Sequence, residues 1–408
     1  MNPLHLSGWG VEVQASNSKS HAELMITDGR RNNNIGERYL FLPRRIEYDS
    51  IILENCTGHI SLAALRWLSK HNIPVFFLDF DGSTISNILP PTPVKANIRA
   101  AQFQAANNHE RKLTIARALV QAKIAKSLQV LEWLGERYDI EKELRLTKRE
   151  AMKLSKASTV PQIRTVEGRV ALHYWEALAK VLPEPLHFQG RMTTTHNNNA
   201  SDPFNAALNY GYGFLKIQCR MAVNTVGLEP AVGFLHELSH YQTSESLVYD
   251  LEEPFRFLVD LSVIQAFETH ELTPQDFIFT RDDYLYRIQW EGKMRLLGTL
   301  RETFNCGVSY KERRFKWDTV IEEKTTELAR YLNGSTPELD FSKPAPILER
   351  QDTREVRERI LCLSQCEAEK LCIGKSELHY LRRKAKSQQG FRIYGKVREK
   401  IAPSSLES

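Results

Sequence analysis

The most recognisable short pattern with possible chemistry is "HELSH" at 236–240, which matches the H-E-x-x-H pattern of zinc proteases. In those enzymes two histidines on one helix face bind the metal, and the glutamate acts as a general base. Two features argue against a protease here. Thr243 and Ser246 stand where the longer zinc-protease pattern requires Gly and His, and Pro230 leaves little room for a helix before His236. A zinc metalloprotease therefore remains only a remote alternative.

A second set of residues combines carboxylates with an imidazole. Glu167 lies in "TVEGRVALHYWEAL", at the start of a predicted amphipathic helix, and Asp250 and Glu253 lie three residues apart in "LVYDLEEPFR". If that stretch is helical, Asp250 and Glu253 point the same way. Two carboxylates together with His236 suit a hard divalent cation such as Mg²⁺ or Mn²⁺, which can stabilise charge on a phosphodiester. Spacing alone does not select these acids, since any one of them is ordinarily a solvated or salt-bridged side chain.

The elements before these residues are predicted to be mainly strands. Within residues 1–90, "LHLSGWGVEVQ", "HAELMITDG" and "RYLFLP" are short apolar stretches punctuated by Gly, Asn and Asp. "HISLAALRWLSKHN" then has helical spacing, and "IPVFFLDFDG" is typical of a buried strand. The proline-rich segment Leu89–Lys95 predicts a linker that ends this N-terminal β-rich domain.

Residues 96–333 are predicted to form an α-helical domain. A long helical stretch follows the linker and is expected to break at Asn107–Asn108. Another helix has clear ends: Asp202 can cap it, Pro203 occupies its first position, and Gly227 closes it. The segment Gly334–Pro346 is predicted to be a second linker.

The C-terminal residues 347–403 are predicted to form a basic helix-turn-helix-like module. Between positions 351 and 401 there are 13 Lys or Arg and 7 Asp or Glu, although the whole chain has a net charge of only +5. Two short helices separated by a turn with Gly374 fit a helix-turn-helix, with Ser376–Gln388 as the recognition helix. An ordinary three-helix protein-interaction module is the alternative. The basic residues expected on or beside the recognition helix, near DNA phosphates, are Lys375, Arg382, Arg383, Lys384 and Lys386.

Composition narrows the class of protein. Hydrophobic residues make up 42% and charged residues 26% of 408 residues, which is typical of globular proteins with two or three domains. No apolar run approaches the length of a membrane span, and the start of the chain has no signal-peptide pattern. Six cysteines without disulfide-framework spacing suit a reducing compartment, so a cytoplasmic location is expected.

Five ordered blocks of the sequence resemble the CRISPR-associated spacer-acquisition integrase family. They are "HISLAALRWLSKHNIPVFFLDFDG", "EGRVALHYWEAL", "DPFNAALNYGYGFL", "GLEPAVGFLH" and "SLVYDLEEPFR", and the resemblance covers roughly Leu4 to Asn333. It implies an α+β, multidomain protein with an N-terminal β-sandwich, a central all-α catalytic domain and the C-terminal module described above.

The resemblance also implies which residues form the site. Glu167 of "EGR", His236 of "GFLH" and Glu253 before "PFR" match the positions that hold the metal, with Asp250 as an auxiliary acid in or beside the site. Tyr212 matches a position that lines the site. Arg169 and Arg256 are the candidate DNA-contacting arginines of this domain, and Glu237 and His240 are bystanders.

The chain departs from spacer integrases because it continues into the basic tail. That extension resembles the casposases, relatives that act as transposases and must find the ends of their own element. A spacer integrase instead works with a dedicated partner protein, so a CRISPR adaptation integrase or endonuclease remains the alternative. The sequence does not define the target or donor-end sequence.

The implied reaction is a transesterification in which a donor 3′-OH attacks a target phosphodiester with Mg²⁺ or Mn²⁺ bound. The expected partner is double-stranded DNA, as donor ends and as target. Joining two ends to opposite strands requires a homodimer or higher homo-oligomer. A non-catalytic DNA-binding scaffold is the competing hypothesis from another functional class, and metal-dependent strand joining distinguishes the two.

Overall fold

A computed structural model of the chain has a strand-rich N-terminal part followed by helices. It describes residues 2–16, 23–32, 35–79, 82, 84–91, 95–191, 200–236, 245–281, 284–345, 358–371 and 373–386. The α+β class predicted from the sequence is confirmed.

The N-terminal strands form one six-stranded sheet in the order β3-β2-β1-β4-β5-β6. The strands are β1 (Pro3–Ala15), β2 (Leu24–Asn32), β3 (Ile35–Phe41), β4 (Ser50–Ile60), β5 (Val75–Leu78) and β6 (Thr84–Ile88). β4 runs parallel to β1 and to β5, and the other neighbours are antiparallel. The structure therefore differs from the predicted β-sandwich: hydrogen bonds join these strands into a single sheet rather than two.

Helix α1 (Leu62–Lys70) provides the crossover that the parallel pair β4–β5 requires. Its N-cap is Ser61, whose side chain accepts a hydrogen bond from Ala64 N at 3.1 Å. Trp67 and Leu68 of α1 pack with Leu6 and Leu53 of the central strands, so the helix covers one face of the sheet.

Most of the remaining chain is helical, as predicted. The helices are α2 (Ala96–Asn107), α3 (His109–Gly135), α4 (Glu141–Ala151), α5 (Val160–Val181), α6 (Pro203–Val226), α7 (Ser246–Glu252), α8 (Arg256–Glu268), α9 (Trp290–Asn305) and α10 (Trp317–Leu332). The predicted break is confirmed, since Asn108 separates α2 from α3 and its side chain caps α3. Asp202 and Gly227 also bound α6 as predicted.

The helical part is not all-α, however. Two short antiparallel hairpins interrupt it: β7 (Phe277–Thr280) with β8 (Leu285–Ile288), and β9 (Val308–Tyr310) with β10 (Arg313–Phe315). Each pair of strands is only three or four residues long. Strands this short carry too few residues for a clear alternating pattern, so the sequence analysis did not predict them.

Helix α6 is the central helix of the main core. It is buried along most of its length and contacts α7, α8, α9 and α10. Two glycines allow close approaches: a Cβ at Gly211 would lie 2.4 Å from Val259 Cγ1, and one at Gly213 would lie 2.4 Å from the carbonyl oxygen of Gly82. Gly82 follows β5, so Gly213 lets α6 pack directly against the backbone at the edge of the sheet.

The predicted second linker packs in part against the helical domain. Phe341 is 1% exposed within the main core, and Lys324 Nζ donates to the Asp340 carbonyl at 2.6 Å. The first part of the segment Gly334–Pro346 thus packs back onto the helical domain.

The tail contains two described helices, α11 (Gln365–Lys370) and α12 (Lys375–Lys386), after a helical stretch at 358–362. Ser364 caps α11: its Oγ accepts from Glu367 N at 3.2 Å, and the Glu367 carboxylate accepts from Ser364 N at 2.8 Å. A small apolar core joins the segments, and it comprises Ile360, Leu363, Ala368, Ile373, Leu378, Leu381 and Ala385. Within the described part of the chain, no helix is both long and apolar enough to cross a membrane.

The close approach at Gly213 gives a test of how α6 meets the sheet. Gly213→Ala should lower the free energy of unfolding by about 1–3 kcal/mol, because the added methyl group overpacks against Gly82. The control is Gly298→Ala on α9, where a Cβ meets nothing within 4 Å and should raise stability by about 0.5–1 kcal/mol. Urea unfolding measures both. Equal effects of the two substitutions would contradict the close approach.

Candidate active site

A cavity of about 210 Å³ opens between α3, α5 and α8. Its charged lining comprises Lys123, Lys126, Glu167, Arg191, Glu253, Arg256 and Asp260. The apolar and aromatic part of the wall includes Val170, Tyr174, Trp175 and Phe257. Two of the three predicted metal-site residues, Glu167 and Glu253, therefore face the same space.

Glu167 enters the cavity from α5. Thr159 caps this helix and Pro161 lies in its first turn, so α5 begins at Val160 and Glu167 lies about two turns inside it. The prediction that Glu167 is at the helix start is therefore wrong, because the cap lies further upstream than expected. Val166 and Val170 bury the apolar face of α5, and this packing directs Glu167 toward α3.

Glu253 enters from the short 3₁₀ turn Glu253–Phe255 between α7 and α8. The residue is buried, and its carboxylate lies 2.6 Å from Lys123 Nζ and 3.5 Å from Arg256 Nη1. Lys123 Nζ also contacts the Glu167 carboxylate. One ammonium group thus bridges the two predicted ligands.

Sequence reasoning missed the two lysines that α3 brings to this site. Lys123 pairs with both carboxylates, and Lys126, one turn further along, is fully buried. Lys126 Nζ donates to the Pro254 carbonyl at 3.0 Å and lies 4.8 Å from the centre of the Phe255 ring. It therefore anchors the turn that carries Glu253. The spacing of three between two lysines in a basic helix is the only sequence signal for either role.

Asp250 orients the imidazole of His236 through a direct hydrogen bond. Its Oδ1 is 2.8 Å from His236 Nδ1, and its two oxygens accept hydrogen bonds from the backbone N–H groups of Phe234, Leu235 and His236 at 2.5–3.0 Å. With Nδ1 bonded to Asp250, Nε2 of His236 remains as the ligating nitrogen. The prediction that Asp250 and Glu253 point the same way stays a prediction: Asp250 lies in the last turn of α7, Glu253 begins the 3₁₀ turn, and the two carboxylates have different hydrogen-bond and ion-pair partners.

His236 lies in a bend, not in a helix. A zinc-protease site requires its first histidine on the same helix as the second, so this backbone does not support that interpretation. Positions 237–244, which include Glu237 and His240, lie outside the described residues.

A second layer of polar residues supports the cavity beside the acids. Tyr212 donates a hydrogen bond to Asp260 at 2.5 Å, and Tyr174 donates to the same carboxylate at 2.9 Å. The Arg256 guanidinium stacks 3.9 Å from the centre of the Tyr212 ring, and that of Arg191 is 5.2 Å from it. Tyr212 thus contacts two residues that line the cavity, Asp260 and Arg256, and its predicted role in the site stays a prediction.

The electrostatics follow from burial and pairing. Burial opposes ionisation of Glu253, but Lys123 and Arg256 outweigh it and hold the pKa of Glu253 well below its usual value. Burial alone would lower the pKa of His236, whereas Asp250, Glu253 and Glu167 raise it above the ordinary value. Two of the predicted ligands, Glu253 and Glu167, thus contribute to the raised pKa of the third, His236.

The donor set fits a divalent cation in type. It offers two carboxylates and an imidazole whose orientation Asp250 fixes, the pattern expected of an Mg²⁺ or Mn²⁺ site. Among the described residues, however, no group of three or more His, Cys, Asp or Glu is arranged to hold a metal ion. The ammonium of Lys123 stands between the carboxylates, where a shared cation would lie.

Apart from Arg256, which lines the cavity, the predicted DNA contacts lie elsewhere and differ in their exposure. Arg169 is an exposed residue of α5 whose Nη1 lies 3.8 Å from Glu150. In the tail Lys375 and Arg383 are exposed, but the Arg382 guanidinium donates to the Leu363 carbonyl and so packs within the tail. The side chains of Lys384 and Lys386 lie outside the described residues.

Sequence comparison identifies known proteins that are similar to this chain. The family model described as "CRISPR associated protein Cas1" matches residues 30–302. The CRISPR-associated endonuclease Cas1 1 of Methanospirillum hungatei is 32% identical over 78% of this chain and 92% of its own length. The protein of the same name from Archaeoglobus fulgidus is 28% identical over 67% of this chain and 84% of its own length.

Comparison with solved structures gives a more specific likeness. A casposase bound to integration product matches with a TM-score of 0.81 and 36% sequence identity, over 88% of this chain and 99% of that chain. A Cas1 protein from Thermotoga maritima matches with a TM-score of 0.66 over 82% of this chain and 97% of that chain. Its identity is 17%, so this likeness concerns the fold alone.

Glu252 next to the site gives a test of how deeply these acids are buried. Burial raises the pKa of Glu252 to about 8, although Arg256 and Lys216 act against the increase. Because this folded-state pKa lies above the unfolded value, ionisation should destabilise the fold progressively as pH rises from about 4.5 to about 8. Glu252→Gln should then raise the free energy of unfolding at pH 8.5, by on the order of 1–3 kcal/mol, and by clearly less at pH 5.5.

Urea unfolding with a chelator present, at both pH values, measures this effect. The matched control is Glu176→Gln on α5, whose exposed side chain should show little dependence on pH. A gain for Glu252→Gln that is the same at both pH values would contradict the burial of an ionising Glu252.

Proposed function

Because the chain belongs to the Cas1 family, we propose that it is a metal-dependent DNA integrase that joins donor 3′-OH ends to target DNA by transesterification. The observation that carries this proposal is the shared cavity. Glu167 and Glu253, which lie far apart in the sequence, meet there across Lys123 and act on the imidazole that Asp250 orients.

Glu167, Glu253 and Nε2 of His236 would hold the cation. The chemistry that Mg²⁺ or Mn²⁺ supplies when bound is charge stabilisation at the phosphodiester and activation of the attacking hydroxyl. Asp250 fixes the ring orientation and the backbone at 234–236, so a ligand from a bend is held as rigidly as one from a helix.

The arginines in the same cavity would position the DNA. Arg256 and Arg191 both line it, and both guanidinium groups are held over the Tyr212 ring. Arg191 is further fixed by Asn209 Oδ1 at 2.9 Å, a neutral partner that leaves its positive charge available to a phosphate. Preorganised cations of this kind lower the barrier to phosphoryl transfer mainly by positioning and charge stabilisation.

Within the family, the casposase role is the one we favour. The similarity to the casposase covers 88% of the chain, whereas residues 1–346 make up only 85% of it, so the match extends into the tail. A tail with a capped first helix and exposed Lys375 and Arg383 suits a module that contacts the DNA backbone near element ends.

The alternative is a CRISPR adaptation integrase or endonuclease that works with a partner protein. The names of the two relatives described above favour it, since each is a CRISPR-associated endonuclease Cas1. In both roles we propose that double-stranded DNA is the substrate and that the chain acts as a homodimer or higher homo-oligomer, since two ends must be joined to opposite strands.

Alanine substitutions test the assigned ligands. Glu167→Ala, His236→Ala and Glu253→Ala should each reduce strand joining by at least about 100-fold, because each removes charge stabilisation from the reacting phosphate. Glu253→Ala should be worse than Asp250→Ala, since Asp250 acts through His236. Gel assays of joining with Mg²⁺ or Mn²⁺ measure the rates. Glu176→Ala, an exposed acid on α5, should keep the parental rate. A Glu253→Ala variant that joins DNA at the parental rate would refute the assignment.

Truncation after Glu349 tests the role of the tail. Each phosphate contact that is lost should reduce the magnitude of the slope of log K against log salt by about 0.9. The truncated chain should bind DNA more weakly, with a flatter salt dependence, and should lose its preference for element ends over scrambled duplexes. Binding and joining of both duplexes at two salt concentrations provide the measurement. Equal discrimination with and without the tail would favour the adaptation role instead.

A further inference from the structure

We infer that Lys123 is a built-in counter-ion of the active site, and that a divalent cation must displace its ammonium group in order to bind Glu167 and Glu253. The inference rests on the proposed function, since it takes these two carboxylates to be metal ligands. It concerns a residue that the sequence motifs leave out.

The geometry places Lys123 in direct competition with a metal ion. Its Nζ contacts Oε1 of Glu167 and lies 2.6 Å from Oε2 of Glu253. Those oxygens are the atoms that a cation shared by the two carboxylates would need. Within the described part of the chain, Glu167 has no other ion-pair partner within 4 Å. The nearest alternative for Glu253 is Arg256 at 3.5 Å, whose guanidinium is stacked on Tyr212.

The negative charges of Glu167 and Glu253 explain why a lysine is needed between them. Two carboxylates that share a cavity repel each other, and each loses hydration when the cavity forms. Without a cation between them, one would take up a proton or the cavity would open. The ammonium of Lys123 offsets both charges in the metal-free protein, so the two acids can stay close together. A divalent cation supplies more charge, but its binding is weakened by the free energy needed to separate Lys123 from them.

The ion pairs of Lys123 with Glu167 and Glu253 differ from an ordinary surface salt bridge. The Lys123 side chain is 17% exposed and bridges two acids from different elements. By contrast, Lys148 and Glu132 form a pair at 2.7 Å in which both side chains are 51% exposed, and such pairs contribute little to stability. Lys148 therefore provides a matched control, because it is a paired lysine of the same domain outside the cavity.

The test is a titration of the full-length protein with Mn²⁺, in which calorimetry and the EPR signal of free Mn²⁺ measure the binding affinity. Lys123→Met should bind Mn²⁺ at least tenfold more tightly than the wild type, and Lys148→Met should bind as the wild type does. Glu253→Gln should weaken Mn²⁺ binding in both the wild-type and the Lys123→Met backgrounds. Equal or weaker binding by folded Lys123→Met would overturn the inference.

A second measurement needs no substitution and so does not depend on whether Lys123→Met folds. In the wild-type protein, acetylation of Lys123 should become several-fold faster at saturating Mn²⁺, because the displaced ammonium is released from its ion pairs. Mass spectrometry follows the modification, and Lys148 is the internal reference, with an unchanged rate. An unchanged Lys123 rate at saturating Mn²⁺ would overturn the inference.

The outcomes separate this inference from the proposed function. If Glu253→Gln reduces Mn²⁺ binding but Lys123→Met does not tighten it, only the role of Lys123 fails. If Glu253→Gln leaves Mn²⁺ binding unchanged, the proposed metal site itself is wrong, and the inference about Lys123 fails with it.

Discussion

The arrangement of this cavity depends on one constraint: a carboxylate can be buried in ionised form only where cations or N–H groups replace its hydration shell. Lys123 does this for the buried Glu253 and also pairs with the partly exposed Glu167, and the amides of 234–236 do it for Asp250. Each compensating group comes from a different element, so α3, α5, α7 and the bend before α7 must keep their relative positions. The polar interactions that serve the site therefore also specify how these elements pack.

A second set of residues supports the groups that surround the acids. Lys126 ties the Pro254 carbonyl to α3, which fixes the backbone that carries Glu253. Asp260 accepts hydrogen bonds from two tyrosines, and Tyr212 in turn supports the stacked Arg256. Positive groups thus line the cavity on several sides around its acids. A site built in this way can receive a cation and a phosphodiester with little rearrangement of its backbone.

Local signals in the sequence predicted the helices well where capping chemistry is explicit, as with Asn108 before α3 and Asp202 before α6. The site residues came from the family resemblance, and the structure brings Glu167 and Glu253 into one cavity. Lys123 could not be predicted, because its partners are 44 and 130 residues away and one lysine in a basic helix looks like any other. The single sheet and the short hairpins were missed for a related reason: pairing between strands is decided by tertiary contacts that no local pattern records.

The central claim is that a cation binds at a site that includes the imidazole of His236 as well as the carboxylates. Pulsed EPR of Mn²⁺ bound to the full-length protein tests this claim most directly, because it detects a nitrogen nucleus bonded to the metal. In the wild type, Mn²⁺ should show a directly coordinated nitrogen. This nitrogen signal should be lost in His236→Gln and retained in the control His173→Gln, which replaces a histidine of α5 that is paired with Glu176. A Mn²⁺ signal without coordinated nitrogen, or one that His236→Gln leaves unchanged, would contradict it.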